Sequence, residues 1–233
     1  EKTVRVETAK LDSLVNLVGE LVINRTRVLE LGKKARDTAL EGALEQLERI
    51  TTELQNAVMT LRMVPVKQVF DRFPRMVRDL SLEKNKKVEL IITGEDTELD
   101  RTIVNQVGDP LVHLLRNAVD HGLEEEEERI RKGKNPLNKI YLQARHEGSH
   151  VVISVEDDGR GIDAEAIKQQ ALEKKMISVR EMEKMKPAEA LQFIFQSGLS
   201  TSREVTDVSG RGVGMNVVKT AIEALNGTVE VES

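Results

Sequence analysis

His-Leu-Leu-Arg-Asn-Ala-Val-Asp-His-Gly, residues 113–122, decides how the rest of this chain is read. Leu111, Leu114, Leu115, Ala118 and Val119 recur at three-and-four spacing, which predicts a helix with one apolar face. His113, Asn117 and Asp120 lie three and four apart and can share another face. The Asn117 amide oxygen is able to coordinate a hard cation, and Arg116, His113 and His121 are able to meet phosphate. Taken alone, the stretch reads equally well as a core helix with a polar rim.

Two downstream segments tip that balance. Residues 151–155 alternate as a strand and run into Glu-Asp-Asp-Gly-Arg-Gly-Ile-Asp at 156–163. A buried carboxylate at a strand end can accept a hydrogen bond from an exocyclic amine, and neighbouring glycines let a flat ring lie against the backbone. Ser-Gly-Arg-Gly-Val-Gly-Met at 209–215 then leads into a helix marked by Val217, Val218, Ala221, Ile222 and Leu225. Glycines before a helix start make a phosphate cradle, because backbone N–H groups point outward and the helix dipole favours anions. One such loop is weak evidence, since an ordinary turn explains it. The ordered series of an Asn helix, an Asp-Gly-x-Gly turn and a glycine-rich loop is much stronger.

The three segments resemble the N, G1 and G2 boxes of the histidine-kinase type ATPase fold, also used by gyrase, Hsp90 and MutL. Residues 190–202, Ala-Leu-Gln-Phe-Ile-Phe-Gln-Ser-Gly-Leu-Ser-Thr-Ser, resemble the F box. The form of the N box is similar to the CheA family of bacterial chemotaxis histidine kinases. Ordinary sensor kinases usually carry Asn where His113 stands. Arg-Met-Val-Pro at 62–65, Arg-Phe-Pro-Arg-Met-Val-Arg-Asp at 72–79 and Gly-Glu-Asp-Thr-Glu-Leu-Asp at 94–100 resemble that family too. The likeness runs from about Val4 to Ser233.

Composition agrees with this reading and excludes others. The 233 residues suffice for one large domain plus an accessory element. Charged residues make up 32% and the net charge is −5, which disfavours a general nucleic-acid binder. No cysteine is present, so disulfides and thiolate metal sites are excluded. No apolar run approaches membrane-spanning length and no signal peptide opens the chain, so direct membrane insertion is not expected. The acidic run at 124–128 is expected to be a solvated loop or helix start. Aromatics are only 2%, so the cores must be aliphatic.

The fold class expected is α+β. Residues 1–62 read as a dimerisation domain, a long antiparallel helical hairpin. Leu11, Leu14, Val15, Val18, Leu21, Val22, Val28 and Leu29 keep a heptad-like stripe in its first helix. Leu40, Leu44, Leu47, Ile50, Leu54, Ala57, Val58 and Leu61 do so in its second, with Gly32 and Gly42 flanking the break. One hairpin has too little core to stand alone, and two make a dimeric four-helix bundle. Packing of the hairpin on its own catalytic domain is the alternative. Residues 63–233 read as an α/β sandwich with an open mixed sheet covered by helices on one face. A helix is expected around 69–80, a strand at 88–92, and a helix at 99–107 broken by Asp109-Pro110 before the N-box helix. Strands are expected at 140–145 and 151–155, paired across Glu147-Gly148-Ser149, and again at 228–232. The resemblance implies one further strand beyond Ser233.

The resemblance also implies a chemistry, the transfer of the γ-phosphoryl group of ATP to a histidine. Asp158 would accept the adenine amine, with Gly161 and Ile162 beside the ring. Asp157 reads as a turn cap. Asn117 would hold Mg²⁺ between the phosphates. His113, Arg116, Asp120 and His121 would contact phosphate or order that site, His113 and Asn117 being the catalytic pair. Gly210, Arg211, Gly212 and Gly214 would face the phosphates, Ser200 and Thr201 would belong to a lid running from about 190 to 209, and Met215 would neighbour the nucleotide. Asn216 stands where many relatives carry Asp.

The four histidines, at 113, 121, 146 and 150, all lie outside the hairpin, so the hairpin cannot accept phosphate on histidine. The resemblance therefore implies an acceptor on a separate phosphotransfer domain, transfer in trans within a homodimer, and a cytoplasmic setting. In the whole protein it implies a coupling adaptor, chemoreceptors and response regulators as partners. Two rival readings share the same boxes: a non-catalytic nucleotide-binding scaffold, and an ATPase of the gyrase or Hsp90 kind.

Overall fold

The computed structural model describes residues 6–35, 38–196 and 214–233. The chain divides into two compact units, Glu1–Val64 with Glu98–Arg101, and Pro65–Thr97 with Thr102–Ser233.

The first unit is built on α1 (Thr8–Ala35) and α2 (Thr38–Arg62). Asp12 pairs with Arg62, Arg25 donates to Thr51, and Gly32 lies against Leu44. Partners that run in opposite order along the chain make the hairpin antiparallel. Gly32 and Gly42 lie inside the two helices, on either side of the break. A Cβ at Gly32 would collide with the Leu44 side chain, so that glycine lets the helices approach closely. Val18, Leu44 and Val58 are buried, whereas Leu14, Leu21, Leu47, Ile50, Leu54 and Leu61 remain exposed. A single hairpin therefore covers only part of its apolar stripe. The short strands β1 (Met63–Pro65) and β2 (Glu98–Asp100) pair as a ribbon, where a helix start at Leu99 was expected.

The second unit carries a mixed three-stranded sheet. Strand β3 (Val88–Thr93) runs parallel to β4 (Asn138–Glu147), which is antiparallel to β5 (His150–Asp157). β4 and β5 are joined by the two-residue turn Gly148-Ser149, with Gly148 at φ +59°. The parallel pair needs a long crossover, and the N-box segment lies within it. Asn138, Ile140, Leu142 and Ala144 form the buried face of β4. Register places Ile153 opposite Ala144, Val155 opposite Leu142 and Asp157 opposite Ile140, so Asp157 belongs to that same face.

Helices α3 (Lys67–Phe70) and α4 (Phe73–Glu83) bury Phe70, Phe73, Val77 and Leu80, two pieces where one helix was expected. Helix α5 (Arg101–Asn117) runs unbroken through Pro110. Val107, Gly108, Pro110 and Leu111 are all buried, so packing on both sides of the proline offsets its missing N–H and no helix break forms. α5 passes into a π turn, Ala118–Gly122, closed by Leu123 N donating to Ala118 O at 2.8 Å. Helix α6 (Glu126–Arg131) follows. Beyond β5, Asp163 caps α7 (Ala164–Glu173) by accepting from Glu165 N and Ala166 N. Ile167, Ala171 and Leu191 form a satellite core with Phe193, Ile194 and Val231 packed against it. Residues 228–232 form no strand, and among the described residues no strand pairs beside them to supply the ladder that their alternation would require.

Candidate functional site

The N-box face ends where α5 turns into the π segment. His113 and Asn117 are half-buried and Arg116 is exposed. Burial pushes the His113 imidazole pKa below its ordinary value, and the Arg116 and His121 charges lower it further. His113 is therefore neutral at neutral pH. The Asn117 side-chain nitrogen donates to Met215 Sδ at 3.1 Å, across from the start of α8 (Met215–Glu223), which turns the amide oxygen away from that contact. Gly214 caps this helix. Asp120 sits 3.5 Å from Lys84 Nζ as an ion pair, on the side of the turn held by lysines.

The π turn itself is fastened by Lys86. Its ammonium donates to Val119 O at 2.6 Å, Asp120 O at 3.2 Å and Leu123 O at 2.8 Å. Burial lowers the Lys86 pKa, with the Arg160 charge adding to the effect. A five-residue turn leaves carbonyls unpaired at its end, and one cation satisfies three of them. Sequence reasoning missed this residue.

The G1 turn lies against the π turn. Arg160 N donates to Gly122 O at 2.9 Å. A Cβ on Gly159 would collide with the Gly122 carbonyl, and a Cβ on Gly122 would meet the Asp157 carboxylate oxygens at 2.9 Å. Only glycine at both positions lets the turns close on each other. Asp157 accepts from Gly159 N at 3.0 Å, as a turn-capping aspartate does. Among the described residues it has no ion pair. Burial pushes its pKa above the ordinary value, with the Gly159 bond working against that rise and the Asp158 charge adding to it.

Asp158, expected at the adenine amine, is engaged elsewhere. Its Oδ2 accepts from Arg129 Nη2 at 2.8 Å and its Oδ1 from Lys139 N at 2.9 Å. Successive residues at a strand end point to opposite faces, so Asp157 and Asp158 cannot both face one ligand. The sequence contains the signal: Val151, Ile153, Val155 and Asp157 alternate with Val152, Ser154, Glu156 and Asp158, and the apolar set includes Asp157. Gly161 has φ +72°, and Ile162 N donates to Ser233 Oγ at 2.6 Å. Ser200, Thr201, Gly210, Arg211 and Gly212 lie outside the described residues, as does most of the expected lid.

The acidic run at 124–128 is not uniformly solvated. Glu125 and Glu127 are exposed, but Glu124 is fully buried, its carboxylate accepting from Lys132 at 2.7 Å and Lys134 at 2.9 Å. Burial pushes the Glu124 pKa up, but the two lysine hydrogen bonds outweigh it and hold the carboxyl below its ordinary value. The basic residues that cancel the burial cost come later in the chain, so composition of the run alone misleads.

The arrangement suits a nucleotide that carries its own metal. No group of three or more His, Asp or Glu side chains gathers for a resident metal among the described residues. A lone amide oxygen at Asn117 suits a cation whose other ligands are phosphates and water. A half-buried, desolvated carboxylate walled by two glycines suits a flat base with an exocyclic amine. No described helix is long and apolar enough to cross a membrane.

Comparison with known proteins agrees. Residues 106–233 match the family described as histidine kinase-, DNA gyrase B-, and HSP90-like ATPase. Residues 1–61 match the signal transducing histidine kinase homodimeric domain. The whole chain is 48% identical over 232 residues to chemotaxis protein CheA of Bacillus subtilis, covering 34% of that protein. It is 49% identical over 242 residues to sensor histidine kinase CheAY of Helicobacter pylori, again along the whole chain and covering 30% of that protein. A CheA of Treponema pallidum is 50% identical over 204 residues, 88% of this chain and 25% of the relative. The chain thus spans about a third or less of the curated relatives it matches. It belongs to the histidine kinase-, DNA gyrase B-, and HSP90-like ATPase family, and along its whole length it is similar to chemotaxis kinases of the CheA type.

Proposed function

We propose that this chain is the dimerisation and ATP-binding core of a chemotaxis histidine autokinase. It moves the γ-phosphoryl group of ATP to a histidine on a separate phosphotransfer domain, in trans within a homodimer. The observation that carries this reading is a subtraction: a segment matching the homodimeric domain of histidine kinases contains no histidine, while the nucleotide fold beside it is that of the kinases. Phosphate must then go to a histidine held elsewhere. The proposed domains are 1–62 for dimerisation and 63–233 for catalysis. A coupling adaptor, chemoreceptors and response regulators are the partners proposed for the whole protein, in the cytoplasm.

In this mechanism Asp157, rather than Asp158, accepts the adenine amine. The support is its place on the covered face of β5, its desolvation and its lack of an ion-pair partner among the described residues, while both oxygens of Asp158 are engaged. Gly161 and Ile162 flank the ring. Asn117, held through its nitrogen by Met215, offers its oxygen toward the phosphates. Asn117 would there hold an Mg²⁺ brought in with the nucleotide, which would supply neutralising charge for the transferred group. Arg116 and His121, exposed near Asn117, supply cationic and hydrogen-bonding contacts to phosphate. Neutral His113 donates or accepts a hydrogen bond without repelling the metal. Gly210, Arg211, Gly212 and Gly214 face the phosphates by backbone, and Ser200 and Thr201 belong to the lid. No side chain at this site is assigned as the base; the acceptor domain activates its own histidine.

The test is incubation of the chain with γ-labelled ATP, Mg²⁺ and a separately made phosphotransfer domain. Acid-labile label on the added domain is the expected outcome. Release of free phosphate alone would favour an ATPase of the gyrase kind, and neither product would favour a binding scaffold.

A further inference from the structure

Behind the G1 turn lies a cluster that the proposed mechanism does not use. Glu124, Arg129 and Asn138 are polar, yet 0%, 1% and 0% exposed. A guanidinium removed from water is costly unless its donors are all met. Here Nε donates to Asn135 O, and Nη1 to Asn138 Oδ1 at 2.9 Å and Asp158 O at 3.1 Å. Nη2 donates to Asp158 Oδ2 at 2.8 Å. Glu124 supplies the counter-charge, with Oε2 at 3.5 Å from Nη1. Lys134 extends the grip by donating to Gly159 O at 2.7 Å and to Glu124 Oε2 at 2.9 Å.

These bonds converge on residues 158 and 159, the outer side of the turn. Its inner side is pressed on Gly122, and Gly159 N is the donor that orients the Asp157 carboxylate. The turn is thus held from both sides, and the direction of Asp157 depends on where residues 158 and 159 are held. We infer that Arg129, counter-charged by Glu124 and assisted by Lys134, is a positioning residue that aims the Asp157 carboxylate and thereby sets selectivity for a base bearing an exocyclic amine. The inference rests on the reading of Asp157 as base acceptor. Arg129, 1% exposed, acts through the residues of the turn that it holds. A lysine cannot replace it, because a single ammonium cannot reach the Asp158 carboxylate, the Asp158 carbonyl and Asn138 in one plane.

The discriminating measurement is the ratio of ADP to IDP affinity by titration calorimetry on the whole chain, since IDP has the same diphosphate but no exocyclic amine. For Arg129→Lys, ADP affinity falls on the order of tenfold, the size of effect that outer partners have on metal-ligating side chains, while IDP affinity changes much less, so the ratio collapses. A merely structural role would lower both affinities together, or neither, and either result overturns the inference. If Arg129→Lys does not fold, Lys134→Met decides, because Lys134 keeps 34% of its side chain exposed and Lys132 still meets Glu124: a lowered ratio supports the inference and an unchanged ratio overturns it. Asp157→Asn is the control for the underlying reading. An ADP to IDP ratio that survives Asp157→Asn removes Asp157 as acceptor, and the inference with it. A ratio lost in Asp157→Asn but kept in the Arg129 and Lys134 variants removes the positioning role alone.

Discussion

At the residue scale, two adjacent aspartates with opposite surroundings give the sharpest test. Asp157→Asn turns an acceptor into a potential donor at the base, so ADP affinity falls by about 2–3 kcal/mol in calorimetry. The same change has the opposite effect on stability without nucleotide. The Asp157 pKa is raised by burial, so the folded state holds the proton more tightly than the unfolded chain. The ionised form therefore costs stability above the folded pKa, and the cost vanishes below the ordinary value of 3.8. Asp157→Asn should melt higher than the parent at pH 7, with the gain closing as pH falls toward that value. Equal melting temperatures at pH 7 would argue against a desolvated carboxylate. Asp158→Asn should do the reverse: it breaks the bond to buried Arg129, lowers stability by about 1–3 kcal/mol, and weakens ADP binding less than Asp157→Asn does.

At the element scale, the junction of α5 and the π turn separates binding from chemistry. Asn117→Asp keeps the size but places a negative charge beside the phosphates. Phosphorylation of an added acceptor domain should fall by orders of magnitude, while metal-free ADP binding falls far less, because metal and phosphate alignment matter most in the transition state. Near-normal transfer at saturating ATP and Mg²⁺ would remove Asn117 from the metal. Lys86 belongs to the same junction but to its stability. Lys86→Met deprives the carbonyls of Val119, Asp120 and Leu123 of their donor. Unfolding in urea should then show a loss of about 1–3 kcal/mol. A midpoint unchanged from the parent would mean that solvent meets those carbonyls equally well.

At the scale of the whole molecule, association follows from surface that one hairpin leaves uncovered. Leu14 and Leu54 are 37% and 42% exposed in the single chain, on apolar stripes that run from Leu11 to Leu29 and from Leu40 to Leu61. Two hairpins bury what one does not. Leu14→Asp and Leu54→Asp should each yield monomers in sedimentation, since an unpaired charge in the bundle is costly, with the sheet unit still folded by circular dichroism. Dimers that persist in both variants would place the association surface elsewhere.

Much of this architecture was legible in residue order alone. Three-and-four spacing predicts the hairpin helices and the helix through residues 113–117, alternation predicts β5, and apolar runs bounded by turn residues predict β3 and β4, because these patterns are local properties of the chain. The ordered glycine and aspartate motifs point to the nucleotide fold from sequence alone. Tertiary structure decided the rest. Pro110 stays inside a helix because buried neighbours surround it, and residues 228–232 form no strand because, among the described residues, none pairs beside them. Which aspartate faces the base was half-legible, in the alternation that ends at Asp157, but Arg129 reaches Asp158 across 29 residues, and no local pattern announces that pair. The burial of Glu124 is the clearest case. An acidic run reads as solvated wherever it occurs, and a carboxylate leaves water only when cations meet it, here Lys132 and Lys134 folded back from just past α6.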